Sequence, residues 1–152
     1  MFKRFTLTAL VMFAALPVAR AEPVSAAERI PVDIRRTTFV VRDIEKSLPL
    51  YRDALGLKLI YDTPIGGGVD KDGKAVAASV RLVLLRANDS FIGNLGLMQR
   101  LNQPPAPPPE FKKAGVGQMI MVINVADLDE RWPKIAATPH IKVETAPIRV
   151  EY

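Results

Sequence analysis

Arg36-Thr37-Thr38-Phe39-Val40-Val41-Arg42, followed without a break by Asp43-Ile44-Glu45-Lys46-Ser47-Leu48-Pro49-Leu50-Tyr51-Arg52-Asp53-Ala54-Leu55-Gly56, is the stretch on which the fold turns. Its first seven residues are rich in β-branched and aromatic side chains, the composition of a strand. Asp43 is a short acceptor placed to cap the start of a helix. Behind it Ile44, Leu48, Tyr51 and Leu55 recur at helical spacing and make one apolar stripe. Gly56 stands where a helix needs a left-handed terminating residue. The pattern predicts a strand over 36–42, a helix, and a second strand over 57–61.

Beyond that strand come Thr63-Pro64-Ile65-Gly66-Gly67-Gly68 and Asp70-Lys71-Asp72-Gly73-Lys74. The glycines lack the Gly-Lys-Ser/Thr ending of a phosphate-binding loop and no helical pattern follows. A hairpin loop is predicted, with Asp70 and Asp72 as solvated turn formers. Strands over 79–86 and 94–99 complete a β-α-β-β-β unit. Residues 103–109 then hold Pro104, Pro105, Pro107, Pro108 and Pro109, which bar both a helix and a central strand. This segment reads as a stiff connector.

After the connector the pattern restarts. Residues 117–124 read as a strand, Asp127 as a cap, and Leu128, Trp132 and Ile135 as an apolar stripe. Asp43-Ile44-Glu45-Lys46-Ser47-Leu48-Pro49 and Asp127-Leu128-Asp129-Glu130-Arg131-Trp132-Pro133 share the aspartate, the aliphatic residue, the acid, the bulky apolar residue and the proline at the same steps. A proline that deep in a helix removes a hydrogen bond, so its recurrence argues for an internal repeat. The second unit stops about two strands short, with Val150 and Tyr152 on an open edge. The expectation is a piece of a longer chain, the alternative being a homodimer that closes the edge.

The amino terminus has a different character. Met1-Phe2-Lys3-Arg4 is cationic, residues 5–18 are almost wholly apolar, and Ala19-Arg20-Ala21 supplies an Ala-x-Ala step. That is the layout of a secretory signal, predicted over 1–21 with cleavage after Ala21 and a periplasmic or secreted destination. The apolar run falls short of the roughly 20 residues of a membrane span; an uncleaved anchor is the alternative. With 1–21 go Lys3, Arg4 and Arg20, so the formal charge of +5 becomes +2, too little to argue for nucleic acid. No membrane association is expected after cleavage. The chain has no cysteine, which excludes disulfides, thiolate metal sites and cysteine nucleophiles. Residues 22–33 read as a tether and 34–152 as the folded domain, divided into a first module (34–102), the connector (103–114) and a partial second module (115–152).

The residues 38–43 followed by Ser47-Leu48-Pro49-Leu50-Tyr51-Arg52-Asp53-Ala54-Leu55-Gly56-Leu57 resemble the opening of vicinal-oxygen-chelate domains, the superfamily of glyoxalases, bleomycin-resistance proteins and extradiol dioxygenases. The family shows a strand, a V-x-D turn and a helix ending F/Y-Y-x-x-x-L-G, and Gly115-Val116-Gly117-Gln118 resembles its second-unit G-x-G-H. The resemblance implies an α+β fold of paired βαβββ modules forming a cupped mixed sheet. It also implies one divalent metal, held by a ligand from the first and the last strand of each unit. Carried over, the ligand positions fall on Arg36, on Gly96 within Leu95-Gly96-Leu97-Met98-Gln99, and on Gln118 or Ile120. Guanidinium has no lone pair to give, glycine has no side chain, and Gln99 is predicted on the opposite face. His140, the only histidine, follows Pro139 in a predicted turn and reads as a surface residue.

Strand alternation puts Phe39 and Val41 toward the helix and Arg36, Thr38 and Val40 on the concave side. The concave set is completed by Gln118 and by either Arg81, Val83 and Leu85 or their neighbours. Arg36, Thr38, Arg81 and Gln118 are therefore the candidate ligand-binding residues, in a cavity suited to a small, partly apolar anion. The ordinary alternative for Arg36 is a strand-end arginine paired with Asp33 or Glu45. The expected function is small-molecule binding by an exported protein of this fold, without a metal or other cofactor. Two alternatives stand beside it: a Zn-, Fe-, Mn- or Ni-dependent enzyme whose remaining ligands lie beyond residue 152, and a non-catalytic structural or subunit role. Neither paired carboxylates at catalytic spacing nor a Gly-x-Ser-x-Gly elbow appears, so the sequence names no catalytic residue.

Overall fold

A computed structural model describes residues 24–105, 107 and 118–148. The predicted signal, residues 106 and 108–117 of the connector and second-unit start, and Val150 and Tyr152 lie outside them. Strand β1 (Arg36–Val40) leads through Asp43 into helix α1 (Ile44–Leu48) and on to β2 (Lys58–Ile65). A short hairpin, β3 (Gly68–Val69) with β4 (Ala75–Val76), precedes β5 (Val80–Arg86) and β6 (Asn94–Arg100). The main sheet has the order β1-β6-β5-β2. β6 runs parallel to β1 and antiparallel to β5, and β5 is antiparallel to β2, so the sheet is mixed. The α+β reading and the βαβββ order of the first unit agree with the predicted pattern. β2 continues through Thr63-Pro64-Ile65, which had read as loop.

Helix α1 starts where its backbone donors find acceptors. Asp43 Oδ1 accepts from the Glu45 N–H at 2.9 Å and the Lys46 N–H at 3.4 Å, and Gln99 Oε1 accepts from the Ile44 N–H at 2.9 Å. Three of the orphan donors of the first turn are thus satisfied. At Pro49, which has no N–H, the helix widens into a π-helical segment, Pro49–Ala54, in which Leu55 N–H bonds Leu50 O. Gly56 then takes φ +74° and ends it.

Sheet pairing decides which side chains share a face. Val83 pairs with Leu97 and Leu85 with Leu95, and all four are buried against Ile44 and Leu48. Phe39, Val41 and Tyr51 pack around them, with the Phe39 and Tyr51 rings stacked at 6.5 Å. Burial raises the Tyr51 pKa above its ordinary value, keeping the phenol neutral. Arg81 lies on this helix-covered face as well. Its Nε and Nη2 donate to Asp62 at 2.7 and 2.6 Å, and its Nη1 to Glu45 at 2.7 Å, so one guanidinium ties α1 to β2 across β5.

The second unit contributes helix α2 (Leu128–Ala136). Residues 118–124, predicted as a strand, form none. A strand exists through hydrogen bonds to a neighbour, and among the described residues no second-unit strand stands beside them. Ile120 and Val122 are correspondingly open to solvent. The repeated aspartates also do different work. Asp43 caps α1, whereas Asp127 makes no side-chain cap and accepts from Arg131 Nε at 2.6 Å. Arg131 Nη1 donates to Leu55 O at 2.9 Å and lies over Gly56, where a Cβ would collide with it. This contact docks α2 on the end of the first helix, and Met121 packs on the first-unit core.

Two outcomes test these packing arguments. Arg81→Met should lower stability at neutral pH by about 1 kcal/mol, small because the carboxylates keep much solvent, read as a fall of several degrees in the melting midpoint. The Arg81 hydrogen bonds hold the Asp62 carboxyl below its ordinary pKa. Its contribution is present above the usual carboxylate range and lost as pH falls through the depressed folded value. The gap between wild type and Arg81→Met should close on acidification.

Candidate functional site

The face of the sheet away from α1 carries the residues of opposite parity. Register places Arg36 with Asn94, Thr38 with Gly96 and Val40 with Met98. Leu84 pairs with Gly96 on the other side, and Leu82 with Met98; from β2, Tyr61 and Thr63 join through Leu84 and Leu82. Among the described residues this face is only partly covered, and Val40 is 62% exposed. By the same register it offers a predominantly apolar floor with arginines at both ends, Arg36 and Arg86 at one and Arg100 at the other.

Of the four predicted ligand-binding residues, the structure brings two together. Arg36 is exposed and Thr38 half-buried on the open face. Arg36 pairs with neither Asp33 nor Glu45; Glu45 is held by Arg81. Arg81 points to the helix side, so the open face takes the neighbours Val80, Leu82 and Leu84 from its strand. Gln118 is half-buried in an irregular segment. Gln99 caps α1 from the helix face, opposite Gly96, as alternation requires. His140 is exposed, with φ +67°.

Gly96 is buried, and the reason for glycine is steric. A Cβ there would lie 2.5 Å from Thr38 Oγ1 and 3.1 Å from Thr38 Cβ and Cγ2. The Thr38 side chain therefore occupies the space into which any residue 96 side chain would project. Asn94, next along β6, is buried and donates through Nδ2 to Phe91 O at 3.0 Å and weakly to Ser90 O at 3.5 Å. Its Oδ1 has no hydrogen-bond partner among the described residues. Asp89 anchors the same loop by accepting from the Phe91 and Ile92 N–H groups at 2.7 and 2.8 Å, which lowers its pKa. Arg35 lies 4.0 Å over the Phe91 ring. Asn94 and Asp89 were missed in the sequence; the loop of mixed Asn, Asp, Ser and Gly was the only signal for them.

An α+β domain with a helix packed on one face of a β1-β6-β5-β2 sheet and the other face open defines the class. The chain belongs to the glyoxalase/bleomycin resistance protein/dioxygenase superfamily, whose model matches residues 33–151. Searches of curated proteins and of solved structures found no match.

The positions that the resemblance assigns to metal ligands do not fit a divalent ion. A divalent cation needs lone pairs, which in zinc and iron sites come chiefly from imidazole, carboxylate or thiolate. Arg36 offers N–H donors and a positive charge, Gly96 offers nothing, and Thr38 fills the space beside it. Gln118 and Ile120 lie outside any strand. Among the described residues, no group of three or more His, Cys, Asp or Glu side chains could hold a metal.

The Thr38–Gly96 contact yields a direct test. Gly96→Ala should cost about 1–3 kcal/mol of stability by overpacking, and Thr38→Ala in the same chain should recover much of that loss. Denaturant unfolding of the two single variants and the double variant measures the coupling.

Proposed function

We propose that this is an exported small-molecule binding protein of the superfamily that takes a small, partly apolar anion on the open sheet face and uses no metal. The observation that carries this reading is the closure of the Gly96 position by Thr38 beside an exposed Arg36. Donors and a positive charge stand where a metal-binding relative needs lone pairs. The floor formed by Val80, Leu82, Leu84 and Met98 suits the apolar part of the ligand. Arg36 would receive the anion, since guanidinium matches a carboxylate in a two-point contact. The amino-terminal cationic and apolar segments with their Ala-x-Ala step support export. Among the described residues no helix is long and apolar enough to cross a membrane.

Octanoate is a suitable probe because it joins a carboxylate to an alkyl chain. Titrated into the isotopically labelled full chain, it should shift the amides of Arg36, Thr38, Leu84 and Gly96 saturably. Arg36→Ala should weaken that binding about tenfold, the scale of one charge-assisted contact. Unchanged affinity in the variant would remove Arg36 from the site and with it the proposed recognition of an anion.

A further inference from the structure

A second feature of the fold lies at the carboxyl ends of β1 and β6. Because these strands are parallel, the residues that follow them emerge side by side. Arg42 leaves β1 two residues beyond its end, and Arg100 is the last residue of β6. Both line a recess of about 220 Å³ together with Val40, Gln103, Pro104 and Pro105. The recess opens on a wider crevice of about 1020 Å³ that reaches Lys46, Tyr51 and His140.

The charges around it are unbalanced. Among the described residues Arg52, Arg81 and Arg131 are each engaged by a carboxylate, and Arg35 covers Phe91. Among the described residues Arg42 and Arg100 have no carboxylate partner. The carboxylate nearest them in sequence, Asp43, accepts from two backbone N–H groups of α1 and pairs at 3.9 Å with Lys46, so it is already engaged. Two cationic side chains lining one recess raise its positive potential and favour an anion there. Apart from Gln103, the rest of the wall is apolar: Val40, Val41 and Pro104-Pro105, the prolines with fixed φ and no N–H to donate. A cavity of this kind selects a group with several acceptor oxygens attached to an apolar body.

We infer that the recess between Arg42 and Arg100 is a second binding site, for an oxyanion (carboxylate or phosphate) carried on a small apolar or aromatic group. It lies past the carboxyl end of β1, at the far end of that strand from Arg36, and does not depend on Arg36. The two guanidiniums would grip the oxyanion in two-point contacts, and the apolar body would lie against Val40 and the two prolines. Nothing in the primary pattern marked these arginines. Their proximity follows only from the parallel pairing of the first and last strands of the unit.

The test is a residue-resolved NMR titration of the full chain with benzoate, phenyl phosphate and inorganic phosphate at constant ionic strength. Benzoate, phenyl phosphate or both should shift the amides of Val41, Arg42, Arg100 and Leu101 saturably. Inorganic phosphate should bind more weakly, since it lacks the apolar body. Response to one aromatic probe alone assigns the site to carboxylate or to phosphate. Arg42→Gln and Arg100→Gln, both at exposed positions, should each weaken binding about tenfold, while Arg36→Gln leaves it unchanged and octanoate still shifts Thr38 and Gly96 in the Arg42 and Arg100 variants. Shifts that follow ionic strength without saturating, that persist in the Arg42→Gln/Arg100→Gln double variant, or that vanish in Arg36→Gln would overturn the assignment.

Discussion

The parallel ladder between β1 and β6 is the constraint on which the rest of the structure depends. It is the contact that joins the first strand of the unit to the last. Its register sets Thr38 against Gly96, and a slip of one residue would send every side chain to the opposite face. With this register, Phe39 joins Leu95 and Leu97 under α1, while Arg36 and Thr38 face away with Leu84. Glycine at 96 makes this register possible, because a Cβ there would lie 2.5 Å from Thr38 Oγ1. The same ladder carries Arg42 and Arg100 to a common end of the sheet.

Much of the first unit was legible because its local and long-range signals agree. Asp43, Ile44, Leu48, Tyr51 and Gly56 mark the helix, and the structure uses them in the expected way, whereas Ala54 rather than Leu55 is buried at its end. The α-to-π change at Pro49 was not legible, since the missing N–H announces a break without saying how the chain absorbs it. Arg81 shows a different limit. Period-2 alternation assigns two faces to a strand but not which of them is covered, and the sequence of β5 is apolar on both. Only the pairing of Val83 and Leu85 with Leu97 and Leu95 places Arg81 beside Glu45 and Asp62. The strand expected at 117–124 failed for a related reason: β-rich composition describes a residue's preference, whereas a strand needs a neighbour to hydrogen-bond.

Electrostatics then divides the arginines by role. Arg81 and Arg131 are structural ties. One clasps helix to sheet, and the other docks α2 on Leu55 over the bare Cα of Gly56. Arg36 stands on the open face without such an engagement among the described residues, and its chemistry is the inverse of a metal ligand's. A guanidinium beside a half-buried threonine attracts an anion and repels a divalent cation. A glutamate at Gly96 would need Thr38 to vacate its position. Membership of the superfamily therefore specifies the scaffold, and the proposed preference for an anion rests on these residues.

The most direct test of that claim is a metal-loading experiment on the full-length protein. The purified chain is incubated in turn with Zn, Fe, Mn and Ni salts, desalted, and analysed for bound metal by mass spectrometry alongside the Thr38 and Gly96 amide signals. The account predicts no stoichiometric retention of any of the four and no movement of those amides. One ion retained per chain, with both amides shifted, would contradict it and restore the metal-dependent reading.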